Sequence, residues 1–163
     1  MSRVIVLADT HIRRGSQRRL PDVVYDALDG ADLILHAGDL ISGDVLDDLA
    51  RFAPVHAVLG NNDVELDGAL PLERSFDVDG VRVAMIHDSG QRQGRARRMQ
   101  RRFPDADLVV FGHSHIPWND EGLDGQILFN PGSPTERRRQ PRCTYGVLEL
   151  DDGRVQRRSI TPI

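Results

Sequence analysis

Seven side chains that bind transition metals occur along this chain, each close behind a short apolar run. They are Asp9, His11, Asp39, Asn61, His87, His113 and His115. Carboxylate, amide and imidazole ligands without sulfur suit manganese, iron, zinc, nickel or cobalt better than magnesium or calcium. In open α/β folds, strands that end in such residues deliver them to one edge of a sheet. The pattern therefore predicts a hydrolytic centre of two metal ions, assembled from residues far apart in sequence.

The spacing within the pieces is compatible with shared ligation. Asp9 and His11 are two positions apart, so an extended segment turns both to one side, where they can chelate a single ion. Asp39 has two oxygens and can bridge two ions, while the neutral Asn61 limits the negative charge. Two ions about 3.5 to 4 Å apart clamp the attacking and leaving oxygens of an in-line displacement. Each piece alone is more often structural, and only their order at successive strand ends favours the metal interpretation.

The elements that must position these residues alternate in the first half of the chain. Buried strands are predicted over residues 4–8, 31–37 and 54–59. A helix over 22–28 is bounded by Pro21 and Gly30, in the positions that these residues favour around a helix. Ser42 predicts the N-cap of a second helix that runs to residue 52.

The second half is predicted to be rich in hairpins. Strands are expected over residues 75–78, 81–87, 107–111, 126–129, 143–150 and 154–160. Asp79-Gly80 is a strong turn signal between the first two of these strands. Ser89 is the predicted cap of a helix over 91–103, which Pro104 ends. Together the two halves predict an α/β fold in which two sheets pack face to face with helices outside.

Length and composition favour one domain over residues 1–163 in a reducing compartment. A chain of this length can bury roughly 70% of the surface that it exposes when unfolded. Cys143 is the only cysteine, which excludes an internal disulfide and a cysteine-based zinc site. The apolar run at residues 4–8 is too short for a signal peptide or a membrane span. We therefore expect a cytoplasmic protein that has no membrane partner.

Charge argues against a long nucleic acid as partner. The formal net charge is −4, and all 21 basic residues are arginine. Six arginines between residues 92 and 102 are interpreted mainly as a solvated helix face. The run 137–139 lies nearer the predicted metal centre, and recognition of a substrate phosphate there stays open, since guanidinium matches phosphate oxygens well.

The combined motifs resemble those of the calcineurin-like metallophosphoesterases. They are D-x-H at 9–11, G-D at 38–39, G-N-N-D at 60–63, H-D at 87–88 and G-H-S-H at 112–115. Together with the length, N-P-G-S at 130–133 is similar to the small single-domain bacterial and archaeal phosphodiesterases. This resemblance implies a four-layer α/β/β/α sandwich of two mixed sheets with flanking helices. It also implies two divalent transition-metal ions, either manganese, iron, zinc or nickel, with manganese favoured.

The resemblance divides the seven ligands between the two ions. One ion is expected to bind Asp9, His11, Asp39 and His115. The other is expected to bind Asp39, Asn61, His87 and His113, so that Asp39 bridges. Asp88, His36 and Asn130 are candidates for supporting these ligands from behind.

One departure from the family pattern concerns the leaving group. Many members have histidine after the asparagine of the third motif, whereas this chain has Asn62. An amide is no general acid near neutral pH, so Asn62 is left with a possible phosphate contact, and activity on poor leaving groups should be weak.

Three hypotheses on function follow from the residues and the resemblance. The leading one is a phosphodiesterase in which a metal-bridging hydroxide attacks small phosphodiesters. The second is a catalytically weak or inactive scaffold for protein interaction, as in the retromer subunit of this family. A nuclease is less favoured, because the chain has no room for a capping domain. The sequence does not identify the natural substrate, and it is compatible with a homo-oligomer.

Overall fold

Ten strands form two mixed five-stranded sheets in this computed structural model, which describes residues 1–163. The first sheet contains β1 (Ser2–Leu7), β2 (Leu33–His36), β3 (Val55–Ala57), β9 (Thr144–Asp151) and β10 (Arg154–Pro162). Its order is β10-β9-β1-β2-β3. Strands β1, β2 and β3 run parallel, while the hairpin of β9 and β10 joins antiparallel to β1. The parallel part follows from the strand-helix alternation of the first half.

The second sheet is built from the middle of the chain. It contains β4 (Glu73–Val78), β5 (Val81–Ile86), β6 (Leu108–Val110), β7 (Trp118–Glu121) and β8 (Ile127–Asn130). Its order is β4-β5-β6-β8-β7, with β5, β6 and β8 parallel. Strands β4 and β5 form the hairpin predicted around Asp79-Gly80. Strand β7 is the only strand that the sequence did not predict. Three of its four side chains are exposed, so it gives no apolar signal.

Three helices cover the outer faces of the sheets. They are α1 (Asp22–Leu28), α2 (Gly43–Ala50) and α3 (Arg95–Arg102). Helices α1 and α2 pack on the first sheet, and α3 packs on the second through Met99 and Phe103. The largest core cluster lies between the sheets and includes Val6, Met85 and Phe129. This arrangement confirms the four-layer α/β/β/α sandwich.

The helix bounds show where local sequence signals decide the structure. Helix α1 has the predicted bounds, and Ser42 caps α2 by accepting a hydrogen bond from the Asp44 N–H over 3.2 Å. The prediction that Ser89 caps α3 is wrong. Gly94 occupies the cap position with a φ of 73°, a left-handed conformation that favours glycine, and the helix starts at Arg95.

The arginines of α3 are less solvated than their composition suggests. Arg95 is buried, and its guanidinium lies 4.9 Å from the ring centres of both Phe111 and Trp118. Arg98 donates to the backbone oxygens of Ser89 and other residues in the preceding loop. The interpretation as a purely solvated face is therefore wrong for part of the helix. None of the helices has the length and apolar character needed to cross a membrane.

Candidate metal centre

All seven predicted ligands lie at one edge of the sandwich. Strand β1 leads to Asp9 and His11, β2 leads to Asp39, and Asn61 follows β3. From the second sheet, β5 leads to His87 and β6 leads to the loop that carries His113 and His115. Because parallel strands end at the same edge of their sheet, and the two edges are adjacent, residues up to 106 positions apart meet there.

The backbone of this edge is strained at the ligands. Five of them have positive φ angles between 47° and 72°, and these are Asp9, His11, Asp39, His113 and His115. Such angles are uncommon for residues with a Cβ and persist only where the surroundings enforce them. The strain lets the chain turn immediately after each strand and directs consecutive ligands toward one centre.

Two glycines permit the ligands to approach closely. A Cβ at Gly60 would lie 2.2 Å from both the backbone N and the Oδ1 atom of Asp39. A Cβ at Gly38 would lie 2.5 Å from the His87 Nδ1 atom. Both distances are shorter than any tolerated contact, so any larger residue would displace Asp39 or His87.

The first group of donor atoms belongs to Asp9, His11 and His115. One atom from each side chain lies within 4.8 Å of the other two. The His115 Nε2 atom lies 3.7 Å from Asp9 Oδ1, and the His11 Nε2 atom lies 4.0 Å from the same oxygen. These separations leave room for an ion that all three atoms contact.

The second group comprises Asp9, Asp39 and His87, with Asn61 and His113 beside it. The His87 Nε2 atom lies 3.9 Å from Asp9 Oδ1 and 3.5 Å from Asp39 Oδ2. Asn61 Oδ1 lies 2.9 Å from His87 Nε2 and 3.1 Å from His113 Nδ1. Asp9 is common to both groups. Asp39 Oδ2 also lies 3.3 Å from His11 Nε2, so it stands between the groups, and its bridging role stays a prediction.

Unpartnered buried atoms indicate that this edge fits metal ions. Both carboxylate oxygens of Asp9, together with the Nε2 atoms of His11 and His115, are buried without a hydrogen-bond partner. Buried polar atoms in folded proteins are almost always paired, and because these four converge on one point, a bound ion accounts for them. Carboxylate oxygens and neutral imidazole nitrogens are donors that a divalent transition metal accepts.

Backbone carbonyls orient two of the imidazoles. The His87 Nδ1 atom lies 2.7 Å from the Ala37 carbonyl oxygen, and the His115 Nδ1 atom lies 2.8 Å from the Glu136 carbonyl oxygen. Because a carbonyl only accepts, each Nδ1 must carry the proton. The Nε2 lone pairs of His87 and His115 are thereby directed toward Asp9, as metal ligation requires.

Without bound metal, the pKa values of the Asp9 and Asp39 carboxylates differ widely. Burial raises the pKa of Asp9 to about 7. Burial also acts to raise the pKa of Asp39, but the nearby imidazoles of His11 and His87, together with a hydrogen bond from the Asn62 backbone, outweigh it and lower that pKa. The Asp39 carboxylate, 3.3 Å from His11 Nε2, raises the pKa of His11, and for His87 the same carboxylate outweighs the lowering effect of burial. At neutral pH the metal-free site therefore holds protons that an ion must displace.

Two further residues hold the ligand loops, and sequence reasoning gave neither a role. Asp63 is buried and accepts three backbone hydrogen bonds, from Asp39, Gly60 and Ile41, over 2.7–2.8 Å. Its place in G-N-N-D was a signal for this role. Glu136 accepts from Arg18 over 2.6 Å, and its carboxylate lies 3.9 Å from His11 Nδ1. No local motif marked Glu136, because its partner Arg18 is 118 positions away.

The three supporting candidates occupy different places. His36 contacts the Thr10 hydroxyl at 3.1 Å and accepts from the Gly38 N–H, and burial lowers its pKa to about 3. Asn130 donates to the Gly112 carbonyl over 3.1 Å and thus holds the loop of His113. Asp88 lies with its Oδ2 atom 3.8 Å from His113 Nε2, beyond hydrogen-bond distance. His36 and Asn130 therefore brace the loops that carry the ligands.

The fold and this site define a metallophosphoesterase. The model of the calcineurin-like phosphoesterase superfamily domain matches residues 2–153, and the chain belongs to that superfamily. A probable metallophosphoesterase of Methanothermobacter thermautotrophicus is 41% identical over 154 residues, which are 90% of this chain and 84% of the relative. A relative of the same description from Mycoplasma pneumoniae is 31% identical over 95% of this chain and 94% of its own.

A solved structure shows the same fold over the full length. A single-substitution variant of Vps29 from Entamoeba histolytica superposes with a TM-score of 0.77 and 25% identity, covering 99% of both chains. The resemblance inferred from the motifs is thus confirmed for family and fold.

Proposed function

We propose that this chain is a phosphodiesterase that uses two divalent transition-metal ions, with manganese favoured, to hydrolyse small phosphodiesters. The observation that carries the proposal is the convergence of all seven donors, four of whose atoms are buried and unpartnered. We further propose that residues 1–163 work as one domain, since both sheets contribute ligands, and that it acts in the cytoplasm, since its only cysteine, Cys143, is unpaired.

The proposed ligation follows the two groups of donor atoms. Asp9, His11 and His115 would hold one ion, while Asn61, His87 and His113 would hold the other, with Asp39 between them. Two bound ions supply Lewis acidity and an activated water for attack on phosphorus. The chain itself orients the imidazoles through Ala37 and Glu136 and holds Asp39 through Asn62.

Asn62 determines whether the leaving group can receive a proton from the chain. Its side chain is exposed and lies beside Asp39, so its amide is available to donate to a phosphate oxygen. An amide does not release a proton near neutral pH, so the leaving alkoxide receives no proton from this position. The proposed enzyme therefore favours diesters with good leaving groups.

A cavity beside the second group suits one ester arm of a small diester. It has a volume of about 520 Å³, and Asn61 and His87 form part of its wall. Leu59, Leu72 and Ile86 give it an apolar side. This volume lies within the range of small-molecule sites, about 300–1,000 Å³.

Metal analysis and hydrolysis of bis(p-nitrophenyl) phosphate test the proposal together. We expect about two transition-metal ions per chain and metal-dependent release of p-nitrophenol. Asp39→Ala and His113→Ala should lose both properties, while Asp26→Asn, a change at an exposed carboxylate on α1 away from the site, should keep them. Full activity in the first two variants would overturn the proposed mechanism.

A scaffold for protein interaction is the second candidate, favoured by two observations. Vps29 from Entamoeba histolytica has the same fold, and Val64 and Leu72 are 82% and 68% exposed beside the site. Exposed apolar side chains of this kind occur at protein interaction sites. Absence of both bound metal and hydrolysis, together with a partner whose binding Leu72→Asp abolishes, would favour this function.

A further inference from the structure

A cleft between the loop before α1 and the loop before β9 is lined by four arginines. Arg18, Arg19, Arg137 and Arg142 contribute to its wall, and its volume is about 560 Å³. No aspartate or glutamate lines it. The cleft therefore carries a net positive charge although the chain as a whole is negative.

Two of the four guanidinium groups have no acidic partner. Arg18 is paired with Glu136 at 2.6 Å, and Arg19 is paired with Asp22 at 2.8 Å. Arg137 donates only to the Gln140 carbonyl oxygen, and Arg142 makes neither an ion pair nor a hydrogen bond. Their donors remain available for an anion, and guanidinium groups match phosphate oxygens in pairs of parallel hydrogen bonds.

The cleft shares Arg18 with a cavity beside the candidate metal centre. Arg18 also lines a neighbouring cavity of about 670 Å³ whose wall includes His11 and Asn62. Arg18 further donates to the His11 carbonyl oxygen over 3.3 Å. Arg18 is thus common to the cavity beside His11 and Asn62 and to the cleft of Arg137 and Arg142.

The cavity on the other side of the candidate metal centre carries negative charge. The cavity beside Asn61 and His87 includes the carboxylates of Asp67 and Asp88, and its one arginine, Arg102, is paired with Glu73. An anionic ester arm would be repelled there and attracted to the arginine cleft. The site thus distinguishes the two arms of a phosphodiester by charge.

We propose that the arginine cleft binds a second phosphate carried on one ester arm of the substrate. This inference rests on the proposed phosphodiesterase function and narrows its substrate class. The substrate is then an asymmetric diester with one phosphorylated arm, such as a nucleotide that bears a further phosphate, and one uncharged arm. Arg137 and Arg142 determine specificity for the first arm without taking part in the bond cleavage.

A matched pair of substrates tests the cleft. The 5′-(p-nitrophenyl phosphate) of thymidine is compared with the same ester carrying an added 3′-phosphate, using the metal-loaded protein. We expect the added phosphate to raise kcat/KM at least about tenfold, mainly through KM, since two charge-assisted contacts are gained. The double variant R137A/R142A should lose this preference while its rate on bis(p-nitrophenyl) phosphate stays within about twofold of the parent.

The control variant is Arg154→Ala, because Arg154 is exposed, forms no ion pair and lies outside the cleft. It removes one positive charge and should keep the preference. Equal kcat/KM for the two thymidine esters, or a preference that R137A/R142A retains, would overturn the inference while leaving the phosphodiesterase in place.

If no diester is hydrolysed, the proposed function fails. Anion binding by the cleft is then tested separately, by calorimetric titration of inorganic pyrophosphate into the purified protein. Binding that R137A/R142A weakens at least about tenfold supports an anion cleft. Equal binding by the parent and the double variant refutes it.

Discussion

Asn62 holds Asp39 with two hydrogen bonds. Its side-chain amide donates to Asp39 Oδ2 and its backbone N–H donates to Asp39 Oδ1, each over 2.8 Å. The residue that follows the Asn61 ligand therefore positions the carboxylate between the two groups of donors.

Asn62→His should extend the range of leaving groups. An imidazole with a pKa near 6.5 can protonate a departing alkoxide, and general acid catalysis contributes about 10²- to 10⁴-fold. Because the variant also loses the amide hydrogen bond to Asp39, the ratio of two rate constants is the informative quantity. We expect kcat/KM for a dialkyl diester, divided by kcat/KM for an alkyl p-nitrophenyl diester, to rise at least about tenfold. Initial rates across leaving groups of increasing pKa provide the measurement.

The control for this prediction is Asn62→Ala, which removes the amide but adds no acid. It should lower activity on all diesters alike, because Asp39 loses one of its two hydrogen bonds from this residue. An Asn62→His enzyme that depends on leaving-group pKa as steeply as the parent would contradict the assignment.

The sequence predicted that these side chains would meet at one edge, because each motif that carries them follows an apolar strand. Asp9, Asp39 and His87 could be assigned to one edge from strand ends alone, without knowledge of the strand order. It predicted α1 because Pro21 and Gly30 are local signals. These features depend on residues close together in the chain.

The features that were missed depend on distant or backbone-specific interactions. The role of Glu136 arises from its ion pair with Arg18 and from its carbonyl next to His115. The start of α3 depends on the left-handed Gly94, and Ser89 offered a competing local signal that the backbone does not use. Tertiary packing selects between alternatives such as Ser89 and Gly94, and local patterns do not show which one it selects.

Asp63→Asn should destabilise the protein and disturb the site. The Asp63 carboxylate accepts backbone hydrogen bonds from Asp39, Gly60 and Ile41, and an amide has only one oxygen to replace two. We expect a loss of about 2 kcal/mol in the free energy of unfolding, since a buried donor is left unpaired. Urea denaturation measures this loss.

The same variant should bind metal more weakly, because the Asp63 carboxylate fixes the strained backbone of Asp39, whose φ is 59°. Asp67→Asn removes an exposed carboxylate of the same loop and serves as the matched control. Equal unfolding curves for the Asp63→Asn variant and the parent would show that this carboxylate does not hold the loop.

Asp9→Asn should stabilise the metal-free protein at pH 8 and weaken metal binding. The pKa of Asp9 is raised from 3.8 to about 7 by burial, so the folded state holds its proton more tightly than the unfolded state. The contribution of Asp9 to stability is therefore complete below pH 4 and is lost as pH rises through 7. Asparagine has no proton to lose, so the gain should be about 2 kcal/mol or more at pH 8 and should shrink by pH 5.

Thermal unfolding of chelator-treated protein at both pH values measures this gain, and metal analysis measures the loss of binding. Ser133→Ala offers a comparison, since the Ser133 hydroxyl donates to the Asp9 carbonyl oxygen and makes no hydrogen bond to the Asp9 carboxylate. It should produce no pH-dependent gain. A stability difference between Asp9→Asn and the parent that is independent of pH would contradict the raised pKa.

Metal affinity should fall as pH drops below about 7, because an ion must displace the proton on Asp9. His11 and His87 also have raised pKa values, since both interact with Asp39, so their protons compete in the same direction. Each proton released at binding lowers the apparent affinity about tenfold per pH unit below the pKa of its group.

Calorimetric titration with Mn²⁺ at pH 6 and pH 8, in buffers of different ionisation enthalpy, measures both the affinity and the number of protons released. We expect weaker binding and greater proton release at pH 6, whereas equal affinity at both pH values, with no released proton, would show that the metal-free site does not hold the Asp9 proton.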